Sequence, residues 1–172
     1  MLLSRNIFLC ACFLFLFEGC GLKPLYEKGN GAEKLKAIKV GLIHDRDGQL
    51  LRNRLEQLLT PQGAPIKPLY TLSVDYKFSA TDFAYLNDAT ATRSQVILTS
   101  TYQLREIDSN QIILSKSARG LADYNLLTGA DYSTIIAEEN AKKRAILNVA
   151  DQIKLQLADY FAIEAEQKMS EI

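Results

Sequence analysis

The feature that most constrains this chain is a pair of long polar–apolar alternations set back to back. From Thr92 to Ile107, the residues Val96, Leu98, Tyr102 and Leu104 fall on one side of an extended chain. Asp108, Ser109 and Asn110 then supply turn chemistry. From Gln111 to Asn125 the alternation resumes, with Ile112, Leu114, Ala118 and Ala122 on one side and Ser115, Ser117 and Arg119 on the other. Successive strand side chains point to opposite faces, so the pattern predicts a long hairpin with one buried face and one polar face.

The rest of the chain supplies partners for that buried face. Ile38, Val40 and Leu42 alternate with Lys39 and Gly41, and Leu72, Val74, Tyr76 and Phe78 alternate with Thr71, Ser73, Asp75 and Lys77, which predicts two more strands. Between them Leu51, Leu55, Leu58 and Leu59 form one helical stripe, with Asp45 or Asp47 placed to cap it and Pro61 and Gly63 to stop it. Ala80 to Ala91, with Asp82, Asn87 and Asp88, reads as a connection. After Thr128–Asp131, with Asp131 or Ser133 as cap, Ile135, Ile146, Val149, Ile153, Leu157 and Phe161 recur at helical spacings. No proline interrupts that segment of roughly 30 residues, which spans about 45 Å as a helix. The order β-α-β-β-β-α predicts an α+β fold, a two-layer α/β sandwich with two helices on one face of a four-stranded sheet. The second face, rich in Thr, Ser and Gln, is left to solvent or a partner. The expected division is residues 1–19 as signal, 20–35 as N-terminus and polar tether, 36–163 as the domain and 164–172 as a frayed tail.

Charge and cysteine usage remove several functions. The chain has 20 basic and 20 acidic side chains, so it carries no chain-wide field for nucleic acid. Its three cysteines, Cys10, Cys12 and Cys20, all precede Gly21. The domain therefore has no disulfide, no thiolate metal site and no thiol nucleophile, and the lone His44 argues against a His-based metal site or a Ser-His pair. No enzyme activity, metal or cofactor is expected.

The first residues read as a signal. Arg5 precedes an apolar run from Ile7 to Phe17, about half the length that spans a bilayer as a helix. Phe17-Glu18-Gly19-Cys20 then resembles the bacterial lipobox, in which the chain is cut before a cysteine that becomes acylated. Leu9-Cys10-Ala11-Cys12 fits the local pattern too, but cutting there leaves a very short apolar run and puts Phe13–Phe17 on the mature protein. An ordinary secretory signal cut near Gly19, or a short uncleaved anchor, is the alternative. Several acyl chains on Cys20 would hold firmly where one holds weakly. Gly21, rather than Asp, follows Cys20, which by resemblance to Gram-negative sorting rules favours the outer membrane.

Taken together these segments resemble the LptE family of lipopolysaccharide-assembly lipoproteins. Cys20-Gly21-Leu22-Lys23-Pro24-Leu25-Tyr26 is similar to the family's opening, with Leu22 where Phe is commoner. Asp45 to Leu59 resembles its first helix, Thr101 to Asn125 its hairpin ending in Tyr124-Asn125, and Tyr132 to Phe161 its terminal helix with Glu139, Ala141, Arg144 and Ala145. The resemblance covers essentially the whole mature chain in order. It implies a mixed sheet and a non-enzymatic role: a plug inside the outer-membrane β-barrel LptD, assisting its folding, binding lipopolysaccharide and supporting its insertion in the outer leaflet. The competing reading is a periplasmic auxiliary lipoprotein of another transport or secretion complex.

The candidate residues follow. Cys20 is the expected lipid anchor. Pro24, Leu25 and Tyr26 are a rigid segment for docking near the barrel wall or membrane interface, or else a linker packed on the domain's own edge. Arg93, Lys116 and Arg119 on the hairpin strands suit the phosphates and carboxylates of lipopolysaccharide, against a plain solvated face. Arg52 and Arg54 are expected on the solvent face of the first helix and His44 at a turn or cap. Adjacent Glu138 and Glu139 cannot share one site on a helix. Tyr76, Phe78, Tyr102 and Phe161 are expected in the core rather than as a stacking platform for nucleic acid.

Overall fold

The computed structural model describes residues 30–85, 91–126, 129 and 131–170. Along the chain these form α1 (Asn30–Lys36), β1 (Ile38–Val40), α2 (Asp45–Leu59), β2 (Tyr70–Tyr85), β3 (Ala91–Glu106), β4 (Ile112–Asn125) and α3 (Asp131–Ser170). The sheet order is β1-β2-β3-β4. β1 runs parallel to β2, which the α2 crossover makes possible, while β2–β3 and β3–β4 are antiparallel. The sheet is therefore mixed, and the expected α+β fold is the one observed.

One face of the sheet carries the core. Leu72, Val74, Val96, Leu98, Tyr102, Leu104, Ala118 and Ala122 are buried together with Leu51, Leu55 and Leu59 of α2 and Ile146, Val149, Ile153, Leu157 and Phe161 of α3. The alternation read from sequence is the burial pattern except at Leu42, which lies past the end of β1 and is 68% exposed, and at Ile135, which is 58% exposed; Leu58 packs against this core while partly exposed. Small residues set how close α3 comes. Ala141 and Ala145 are fully buried, and a Cβ on Gly120 of β4 would run into the Ala145 carbonyl and stand 2.9 Å from Val149 Cγ2.

Five further local expectations change. Ile112 is 46% exposed rather than in the core. A register shift lies between Leu104↔Leu114 and Arg105↔Ile112, so the intervening Ile113 packs inward instead. The expected connection after Ala80 is strand, because β2 continues to Tyr85 with an irregularity between Asp82 and Ala84. The outer part of β2 is exposed on both faces, so it shows no apolar alternation; pairing with β3 holds it extended. The polar tether is helical from Asn30, where Leu35 buries itself in the core. The expected tail is also helical, α3 continuing to Ser170. Finally, the cap position of α2 is held by His44, without a side-chain cap bond, rather than by Asp45 or Asp47. The two aspartates lie in the first turn, where the helix dipole favours negative charge.

The hairpin turn is as expected. Asn110 adopts φ 55°, a left-handed conformation that Asn tolerates, and the Glu106 N–H donates to the Gln111 carbonyl at 2.9 Å. Arg105 Nη1 donates to the Asn110 carbonyl at 2.7 Å and the Ser109 hydroxyl to Glu106 Oε2 at 2.6 Å.

Candidate interaction surface

With both long helices on one face, the opposite face of β2–β3–β4 has no helix against it among the described residues. Its centre carries Thr71, Ser73, Thr99, Thr101, Gln103 and Ser117 together with the charged Asp75, Lys77 and Arg119, brought side by side by the pairs Ser73↔Gln103, Asp75↔Thr101↔Ser117 and Lys77↔Thr99↔Arg119. All but Thr71 are exposed. β2 alone is about 50 Å long at ~3.3 Å per residue, so this is an extended surface of hydroxyls and amides with charged side chains among them.

The three cations expected to act together do not meet. Arg119 pairs across from Thr99, and Arg93 lies six residues away along β3 on the same open face, about 20 Å apart. Lys116 pairs with Tyr102 and so belongs to the opposite, helix-bearing face, at its exposed edge. Arg93 is engaged locally, with its guanidinium 5.5 Å from the Phe83 ring and 3.9 Å from Asp123 Oδ2. Among the described residues Arg119 makes no ion pair. The alternation alone separates Lys116 from Arg119 by parity, a signal available in the sequence once register is known. Cys20 and the segment Pro24, Leu25, Tyr26 lie outside the described residues.

The two free borders of the sheet differ. The outer edge of β4 is closed by side chains of α3. Gln156 Nε2 donates to the Ser117 carbonyl at 3.3 Å, Gln152 bonds both backbone groups of Arg119, Asn148 Nδ2 donates to Leu121 O at 3.2 Å and Arg144 Nη2 to Asp123 O at 2.6 Å. Four helical residues rise about 6.0 Å and two strand residues about 6.6 Å, so a polar stripe at every fourth helix position tracks every second strand position. The β2 edge is paired by β1 only along Tyr70–Leu72.

Other candidates are structural. Arg52 pairs with Glu56 at 3.0 Å along α2, whereas Arg54 crosses to Asp151 of α3 at 3.0 Å. Arg54 therefore joins the two helices instead of only facing solvent. A groove of about 740 Å³ beside Arg52, Glu56 and Thr60 is open and holds no catalytic grouping. Glu138 holds Lys142 at 2.7 Å, and Glu139 stands 3.9 Å from Arg46. Tyr102 and Phe161 are core, while Tyr76 and Phe78, edge to face with each other at 5.7 Å, pack against it. Among the described residues no group of His, Cys, Asp and Glu could hold a metal ion, and no helix is long and apolar enough to cross a membrane.

Known proteins share this architecture. The sequence profile of LptE, lipopolysaccharide-assembly, matches residues 35–157. Among solved structures, a lipoprotein of Caulobacter crescentus is similar at 22% identity, with TM-score 0.61 over 77% of this chain and 96% of that one. The minor lipoprotein of Acinetobacter baumannii is similar at 20% identity, with TM-score 0.55 over 72% and 89%. Rare lipoprotein B of Shewanella oneidensis is similar at 11% identity, with TM-score 0.57 over 75% and 96%. At these identities the solved structures speak for the fold. No curated protein sequence matches.

Proposed function

We infer that this chain, which belongs to the LptE lipopolysaccharide-assembly family, is an outer-membrane lipoprotein that plugs the LptD β-barrel. In this role it helps the barrel assemble and supports lipopolysaccharide insertion into the outer leaflet. Cys20 carries the acyl chains, and the work is binding and scaffolding rather than catalysis.

The observation that carries this reading is the open sheet face. Barrel interiors are polar, so a plug must offer a polar surface that hydrogen-bonds. Thr99, Thr101, Gln103, Ser73 and Ser117 offer hydroxyls and an amide over an extended area, while the apolar side of the sheet is satisfied by the helices. Arg119, with Lys77 in the same row across Thr99, brings positive charge to the centre of that face, suited to a phosphate of lipopolysaccharide; Arg93 is a separate contact near its far end. Lys116, on the other face, would meet a different part of the ligand or the partner.

The test is photocrosslinking in cells from an unnatural residue at Thr99, Thr101 or Ser117. Adducts with a barrel of LptD size support the proposal. Adducts confined to an inner-membrane complex would instead favour an auxiliary lipoprotein of another transport or secretion system. Depletion of the chain should also deprive the outer leaflet of lipopolysaccharide.

A further inference from the structure

The end of the domain where the chain enters is unusually apolar for an exposed surface. Ile66 is 98% exposed, Leu69 47%, Ile107 42% and Ile112 46%. Leu69, Ile107 and Ile112 are neighbours, and Ile66 precedes Leu69 by three residues: the Ile107 N–H donates to the Leu69 carbonyl at 2.9 Å, extending the β2–β3 pairing past Tyr70↔Glu106, and Ile112 pairs with Arg105 beside them. Leu69 is tied in turn to the end of α1, its N–H donating to the Ala37 carbonyl at 2.9 Å. Lys36 shares a cavity of about 280 Å³ with Ile66, and Lys67 is exposed next to it. The carboxylates nearby are Asp108 and Glu106, the latter accepting from Ser109.

We propose that Ile66, Leu69, Ile107 and Ile112 form a membrane-contact rim that rests in the interfacial layer of the leaflet holding the acyl chains of Cys20. This rests on the reading of Cys20 as the anchor. Ten residues separate Cys20 from Asn30 and reach at most about 35 Å. The seven residues of α1 add about 10 Å before Ala37 and Leu69. The opposite end of β2 is a further 50 Å or so away, beyond what the tether can bring to the same leaflet. A domain of that length also exceeds an apolar barrel band of about 25 Å, so one end of a lumenal plug must project, and the tether selects this one. Exposed aliphatic side chains flanked by lysines suit an interface of acyl chains and anionic headgroups.

The chain contains no tryptophan, so a single introduced one reports its own surroundings. The experiment uses the full chain expressed in cells, with the mature protein purified from membranes and reconstituted in phosphatidylethanolamine–phosphatidylglycerol vesicles with brominated acyl chains. Ile66→Trp and Ile107→Trp should lose about half their fluorescence, as expected for side chains seated at the headgroup–acyl boundary. Leu121→Trp, toward the far end of β4, should keep its emission. Ile66 is almost wholly exposed, so its replacement leaves the fold intact. An acylated N-terminal peptide by mass spectrometry together with unquenched Ile66→Trp and Ile107→Trp would overturn the rim and leave the anchor standing. An unacylated terminus would overturn both.

Discussion

The side-chain amide of Gln152 lies against the backbone of Arg119 as a neighbouring strand would. Its Oε1 accepts the Arg119 N–H at 3.2 Å and its Nε2 donates to the Arg119 carbonyl at 3.0 Å. Gln156, Asn148 and Arg144 continue the seal on either side. An uncovered strand edge invites pairing with another chain. Gln152→Ala should therefore cost about 1–2 kcal/mol and lower the melting temperature by roughly 3–6 °C. Gln152→Glu keeps the acceptor and loses the donor, so it should fall between. Thermal unfolding checks the order, and light scattering should show more self-association for the alanine variant. Equal stability of all three proteins would mean the seal contributes nothing.

Gly120 is the other half of that contact. Its missing Cβ is what lets β4 approach Ala145 and Val149. Gly120→Ala should destabilise by about 1–3 kcal/mol, since the space is already filled. It should also loosen the Gln152 bonds, because α3 must withdraw to make room. Faster hydrogen exchange at the Arg119 amide is the specific sign; unfolding without it would point to a different cause.

Much of this layout was legible from periodicity. Val96, Leu98, Tyr102 and Leu104 alternate because each lies on the core face of the sheet, and their alternation is all that is needed to predict the strand. Where burial stops, so does the signal. The outer half of β2 is exposed on both sides and reads only as a connection, and α1 is hidden because Leu35, its one buried side chain among the described residues, makes no stripe. Ile112 misled because a one-residue shift against β3 reverses its face. The same parity explains the candidate site: Arg119 and Lys116 are three apart, an odd number, so a strand must send them to opposite faces. The seal by Arg144, Asn148, Gln152 and Gln156 was present in sequence as a polar i, i+4 stripe, but such a stripe also describes an ordinary solvent face.

Tyr102 gives the fold an alkaline limit. Its ring is buried and its hydroxyl donates to Gln156 Oε1 at 2.6 Å, and burial pushes its pKa from 10.0 up to about 12. The folded state thus keeps a proton that the unfolded state releases first. This contribution is fully present below pH 10 and is lost as pH rises from 10 to about 12. Stability measured by denaturant should fall across that window. Tyr102→Phe should cost about 1 kcal/mol at neutral pH and flatten the fall. A variant with an unchanged alkaline slope would show that other tyrosines set it.

Lys34 ties the start of the domain to the end of α3. Its Nζ lies 2.6 Å from Glu164 Oε1 and 5.6 Å from the centre of the Phe161 ring. Both charged side chains are partly solvated, so the pair is worth at most about 1 kcal/mol, and salt should weaken it. Lys34→Ala should barely move the global melting temperature, because Leu35 still buries α1. Its effect should be local, with faster amide exchange in Asn30–Lys36 and in the last turns of α3. Lys34→Arg, able to reach both partners, should restore protection in both segments. If exchange in α1 is unchanged by Lys34→Ala, burial of Leu35 alone holds this helix, and the ion pair is a surface contact without consequence.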